Sequence, residues 1–349
     1  MDEIGFLQDL LSIPSVSGEE DALAVHLVKT MAGLGFDAGR DEAGNVIGAV
    51  GRAAAERTVV LLGHMDTVPG HIPVRLEGDR LYGRGAVDAK GPLAAFVLAA
   101  AQVAPRLAGT RLLVIGAVEE EAQSRGALHL ARTLPPPTWA IIGEPSDWQG
   151  ITLGYKGVLS LGYRLVQPNG HTAGAEPGPA QEAVRVWNEL AAYAEEYNQG
   201  RTGRFERIEP ALHTMRTFGD GLQQGVEMGI TVRLPPGVLA ADLELHLQQW
   251  CDGADLTVRQ SAPAYRSEKN TPLVRALLRA IRAAGGRPRF KLKTGTADMN
   301  VVGPVWNCPM VAYGPGDSAL DHTPAENINI VEFQRSIEVL ANAVETLAS

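Results

Sequence analysis

Cysteine is almost missing from this chain. The two present, Cys251 and Cys308, lack the spacing of a zinc knuckle or a CxxC redox pair. They read as free thiols of a reducing cytoplasm. Long apolar runs are missing too. The most apolar window, Leu93 to Ala104, is too short to span a bilayer, so no membrane partner is expected. The first twenty residues, MDEIGFLQDLLSIPSVSGEE, are acidic and amphipathic, without the basic start of a signal peptide. A cytoplasmic location is the expectation. Long runs of one charge sign are absent, and the net charge of −9 argues against a nucleic-acid surface. A Walker A lysine is absent as well. In L-Y-G-R-G-A-V-D-A-K-G the sixth position of a G-x-G-x-x-G loop is Asp88, a negative charge where a pyrophosphate would sit.

What is present suggests an enzyme of two domains. A chain of 349 residues, 45% hydrophobic, buries a core large enough to need no structural metal, so any metal here points to catalysis. Helical patterns cover residues 3–12 and Glu19 to Leu34, the second opened by Ser17 and Glu20 in the spacing of a capping box. Strand-like runs at Asn45–Val50, Thr58–Leu62, Arg111–Ala117 and Trp139–Ile142 surround an alanine-rich helix from about Gly91 to Val103. From Val158 to Ser261 the order becomes β-α-β-β-α-β, and the α/β texture returns after Thr271. The expected fold is α/β: a mixed, largely parallel sheet flanked by helices, interrupted by a ferredoxin-like α+β domain. The boundaries read as 1–156 plus 266–349 for the catalytic part and 157–265 for the insert.

Chemistry-bearing residues cluster where strands end. V-V-L-L-G-H-M-D-T-V-P-G brings His64 and Asp66 to the end of an apolar strand, where α/β sheets bind ligands. Alone, His-x-Asp is no more than a strand-end pair. Asp88 is either a helix N-cap or a carboxylate shared between two cations. L-L-V-I-G-A-V-E-E-E-A-Q-S-R-G-A ends a strand in Glu119, Glu120 and Glu121, a crowding of negative charge that cations relieve. I-I-G-E-P ends another in Glu144, and G-P-G-D-S-A-L-D-H-T-P-A-E supplies His322. Two histidines with several carboxylates suit zinc, cobalt or manganese.

These motifs, in this order and over nearly the whole chain, resemble the M20 family of dinuclear metallopeptidases and deacylases. The resemblance implies two divalent ions, zinc first and cobalt or manganese as alternatives. His64 and Glu144 would hold one, Glu121 and His322 the other, and Asp88 would bridge them. Ser124, three residues after Glu121, selects Glu120 as the general base and leaves Glu119 without a role. Asp66 would orient His64. His171 in P-N-G-H-T-A-G matches a family histidine that stabilises the oxyanion across a dimer interface, so the inserted domain would be a dimerisation and lid unit. Arg233, Gly295 and Thr296 match family substrate contacts, and Asp298 lies in the same K-T-G-T-A-D-M-N segment.

Within the family, motif detail looks most like the hydrolases that free lysine or ornithine from the C-terminal glutamate of a small acidic amino-group carrier protein. The alternatives are an acetylornithine or N-acetyl-lysine deacetylase and a succinyl-diaminopimelate desuccinylase. Two rivals lie outside this class: a metal-retaining binding protein without turnover, and a nucleotide-binding α/β protein. Arg201, Arg204, Arg207 and Arg216 read either as solvated surface or as a steering patch for the acidic carrier.

Overall fold

Val59–Leu62 and Leu112–Ile115 are continuous apolar runs, and the structure buries them on both faces, as central parallel strands require. The computed structural model describes residues 2–107, 109–171 and 176–349. They divide into two units: residues up to Gly154 with Ser267–Leu292 and Ala297–Ser349, and Tyr155–Arg266 with Lys293–Thr296.

In the first unit the strands lie in the order Asp37–Arg40, Val46–Gly51, Thr110–Ala117, Arg57–His64, Trp139–Ile142, Met310–Ala312 and Gly150–Tyr155. The central four run parallel, and their outer neighbours run antiparallel. The helix Lys90–Val103 is buried on nearly every side, which its alanines allow, because small side chains let backbone and sheet approach closely. It packs against the terminal helix Ile330–Ala348, which also receives Pro272–Ala283. Helix Arg125–Thr133 packs on Asp298–Trp306. Neither of these two helices is evident from hydrophobic periodicity, because each is only 9 residues long.

The second unit runs strand Gly157–Pro168, helix Pro179–Asn198, strands Glu209–Gly219 and Gln223–Leu234, helix Ala240–Trp250 and strand Asp255–Ala262. Its antiparallel sheet has the order Glu209–Gly219, Gln223–Leu234, Gly157–Pro168, Asp255–Ala262, the ferredoxin-like arrangement. Leu159, Leu161, Tyr163, Val186, Leu190 and Val226 form its core.

Two expectations need correction. Lys293–Thr296, carrying Gly295 and Thr296, belongs with the second unit rather than the first. The Lys156 N–H donates to the Lys293 carbonyl at 3.2 Å, and Arg233 donates to the Thr296 hydroxyl at 3.3 Å, which ties the segment there. Ser17 and Glu20 do not form a capping box. The helix runs Asp21–Gly33 with Glu20 as N-cap and no side-chain cap bond; the Ser17 hydroxyl donates to Asp66, and Glu20 Oε1 accepts from the Gly18 and Glu119 N–H groups.

Candidate metal centre

The parallel register aligns the strand ends. His64 lies opposite Ala117, and Leu62 opposite Ile142, which lies opposite Ala312. The residues that follow, Glu119 to Glu121, Glu144 and the loop toward His322, therefore leave the sheet at one edge. Asp88 lies just before helix Lys90–Val103 and is joined to the N-cap Ala89 by a cis peptide bond.

Asp88 sits between the two histidines. Its Oδ1 is 3.3 Å from His64 Nε2, and its Oδ2 is 3.1 Å from His322 Nε2. Glu121 Oε1 is 2.7 Å from His322 Nε2, and Glu144 Oε1 is 4.0 Å from His64 Nε2. Asp88, Glu121 and His322 each offer a ligand atom within 4.8 Å of the others. On the far side of its ring, His64 Nδ1 is 3.0 Å from the Asp66 carbonyl and 3.3 Å from Asp66 Oδ1.

The glutamate turn is held by buried carboxylates. The Glu119 N–H donates to Glu20 Oε1 at 3.0 Å, Glu120 N–H to Asp66 Oδ1 at 3.0 Å and Glu121 N–H to Asp66 Oδ2 at 2.9 Å. The Ser17 hydroxyl adds a bond to Asp66 Oδ2 at 2.7 Å. Three successive amides are thus satisfied by two carboxylates from elsewhere in the chain, which leaves the turn little freedom. Sequence patterns do not mark Ser17, Glu20, Arg84 and Glu326 as part of the site, since only long-range contacts reveal their work. Glu119 turns away to pair with Arg125 at 2.7 Å.

Electrostatics follow from this crowding. Burial raises Glu120 well above the ordinary carboxylate range; His64 opposes this, while Glu144, Asp298 and Glu121 add to it. Burial also raises Glu121, against the His322 hydrogen bond and with the Asp88 charge. Asp88 is lowered: burial opposes its charge, but hydrogen bonds from His322 and His64 prevail. His322 rises to about 10 through its hydrogen bonds to Asp88 and Glu121. His64 is also raised; burial pulls it down, and Asp66, Asp88 and Glu120 outweigh that. Without other cations, protons on the imidazoles and on Glu120 offset the carboxylates. Two imidazoles and three carboxylates, one of them facing both rings, make a donor set that fits divalent zinc, cobalt or manganese.

The remaining candidates lie in the second unit. Arg233 is half-buried against Thr296, and burial lowers its guanidinium. His171 is exposed at the end of a described stretch; positions 172–175 lie outside the described residues. Gly295 and Thr296 share the segment noted above. In the first unit, Asp298 is fully buried at the start of its helix, with Oδ1 lacking a hydrogen-bond partner, and burial pushes its carboxyl up to about 7.

Comparison with known proteins places the chain among relatives. The model of peptidase family M20/M25/M40 matches residues 60–346. A Deinococcus radiodurans protein named LysW-lysine hydrolase is 45% identical, over 98% of this chain and 96% of that protein. A Pyrococcus furiosus protein named as a putative LysW-lysine/LysW-ornithine hydrolase is 38% identical, over 100% and 98%. Among solved structures, an M20 family metallo-carboxypeptidase from Sulfolobus solfataricus superposes with a TM-score of 0.82 at 18% identity, over 100% of this chain and 99% of that one. A Bacillus subtilis dinuclear metal-binding M20 peptidase does so with a TM-score of 0.76 at 13% identity, over 99% and 97%. These last two establish likeness of fold.

Proposed function

We propose, for a chain that belongs to peptidase family M20/M25/M40, that it is a metal-dependent amide hydrolase freeing lysine or ornithine from the C-terminal glutamate of a small amino-group carrier protein. The single observation that carries the substrate is the full-length likeness to a LysW-lysine hydrolase at 45% identity. The chemistry rests on the Asp88 carboxylate, which turns one oxygen to His64 and the other to His322.

In this reading His64 and Glu144 would hold one divalent ion and Glu121 and His322 a second, with Asp88 available to both. When bound, such ions polarise the scissile carbonyl and make water a better nucleophile. Every proton move falls to the protein. Glu120 takes a proton from the attacking water as its oxygen bonds to the carbonyl carbon. It returns that proton to the nitrogen as the C–N bond breaks and the amine leaves. A base of raised pKa suits both halves, because it must accept and then donate near neutral pH. Asp66 orients the His64 ring and fixes the backbone of Glu120 and Glu121. As the family resemblance implies, His171 of a second copy would donate to the developing oxyanion, and Arg233 with Gly295 and Thr296 would receive the substrate carboxylate. The second unit serves dimerisation, supported by an edge strand, Glu209–Gly219, whose side chains are mostly exposed.

A side-by-side assay of the metal-loaded protein tests the substrate. We expect carrier-bound lysine or ornithine to be hydrolysed well ahead of acetyl-lysine, acetylornithine and succinyl-diaminopimelate. Preference for an acetylated or succinylated amino acid would replace this reading with that of a deacylase.

A further inference from the structure

Glu326 is fully buried, and both of its oxygens are engaged by donors of the chain. Oε1 accepts from the Val87 and Asp88 N–H groups at 2.9 and 3.1 Å, and Oε2 accepts from Arg84 Nη1 at 2.7 Å. Arg84 is itself mostly buried and spreads its donors further. Its Nε donates to the Gly70 carbonyl at 3.2 Å, on the loop after His64 and Asp66, and its Nη1 reaches the Thr323 carbonyl at 3.4 Å, one residue past His322. The buried Lys90 ammonium, which donates to the Leu10 and Ile13 carbonyls, adds a second positive charge whose field reaches Glu326.

The topology explains why a tie is needed there. Asn327–Asn329 pairs antiparallel with Arg80–Tyr82, with Asn327 opposite Tyr82. From the end of that short ladder one strand continues toward Asp88, and the other arrives from His322. Both loops thus diverge from one point, and without a cross-link each would drift independently. We infer that the Arg84–Glu326 pair is a positioning device that fixes Asp88 relative to His322: Glu326 grips the backbone of Asp88, and Arg84 grips the backbone beside His322. The device rests on the proposed reading that Asp88 and His322 are metal ligands. A carboxylate that two ions share tolerates little displacement, so its backbone anchor matters as much as its side chain.

The test is a zinc titration of chelator-stripped full-length protein in a metal-buffered competition assay, well below the melting temperature. Thermal unfolding of the metal-free forms is followed in parallel. Glu326→Gln keeps an acceptor for the two amides but loses the charge that holds the Arg84 fork. Arg84→Lys keeps the charge but cannot reach Glu326, Gly70 and Thr323 together. We expect zinc binding to weaken by about 10- to 100-fold in Glu326→Gln, with both ions affected, and by a smaller factor in Arg84→Lys. Unchanged zinc dissociation constants beside a lowered melting temperature would show a merely structural pair and overturn the inference. A wild-type protein that binds no zinc would instead remove the reading beneath it. Should Glu326→Gln fail to fold, Arg84→Lys decides alone: unaltered zinc affinity refutes the device.

Discussion

The two units handle buried charge differently. In the first, the buried carboxylates Glu20, Asp66 and Glu326 spend their oxygens on backbone N–H groups of the loops that carry Glu119 to Glu121 and Asp88. Among the described residues of the second unit, the one buried charged side chain is Lys156. It does the converse, donating to the Arg204 and Arg207 carbonyls and to Glu209. Elsewhere that unit keeps its ion pairs at the surface, as in Arg216–Glu227 and Arg204–Glu209. The contrast teaches where precision is demanded. Desolvating a carboxylate is costly, and the first unit accepts that cost where a loop must be immobile. The second unit instead desolvates one ammonium, that of Lys156, beneath the 204–207 segment, and leaves the arginine side chains of that segment largely in solvent.

Substitutions in each unit can sharpen or break this contrast. The largest effect belongs to Glu120→Gln, which should lower turnover by about 10³-fold or more with metal content unchanged, measured by steady-state assay and elemental analysis. An active variant would mean that the base is misassigned. His171→Ala, in the second unit, should cost about 10²-fold in kcat without changing metal content; a loss of metal instead would place chemistry in that unit that the contrast denies it. Next comes pH. In the metal-free protein His322 holds its proton up to about 10, so each ion captured there displaces one. Metal affinity should therefore rise with pH by up to about tenfold per unit as pH approaches that limit from below. The stability that protonated His322 lends the metal-free fold runs the other way: it is complete below ~6.5 and lost as pH rises through about 10. A flat affinity profile over that range would contradict the His322 geometry. Smallest is Arg216→Ala, which opens an exposed pair and should leave both the melting midpoint and hydrolysis of small amides unchanged.

Much of this architecture could be read before any coordinates. His64, Glu121 and Glu144 follow apolar strands, and a strand end states its own position in an α/β sheet. The β-α-β-β-α-β run of the insert was equally plain, because alternation and helical periodicity are local signals. What escaped was non-local. Ser17 and Glu20 have the spacing of a capping box, but Ser17 bonds to Asp66 and Glu20 to the Glu119 amide, about a hundred residues away. Nothing near Glu326 in sequence announces Val87 or Arg84. Thr296 joined the second unit through Arg233, a contact that no pattern within the K-T-G-T segment foreshadows. Side chains that touch the chemistry leave motifs, whereas those that hold the motifs in place show only in three dimensions.

The central claim is that His64, Asp88, Glu121, Glu144 and His322 form one divalent-metal centre. Mass-spectrometric counting of metal per chain, after stripping, reloading with zinc and exhaustive dialysis, tests it most directly. The account predicts about two ions per wild-type chain and a clear fall in Asp88→Ala, whose side chain both sites would share. A wild-type chain that retains none, or an Asp88→Ala chain that retains as many, would contradict it.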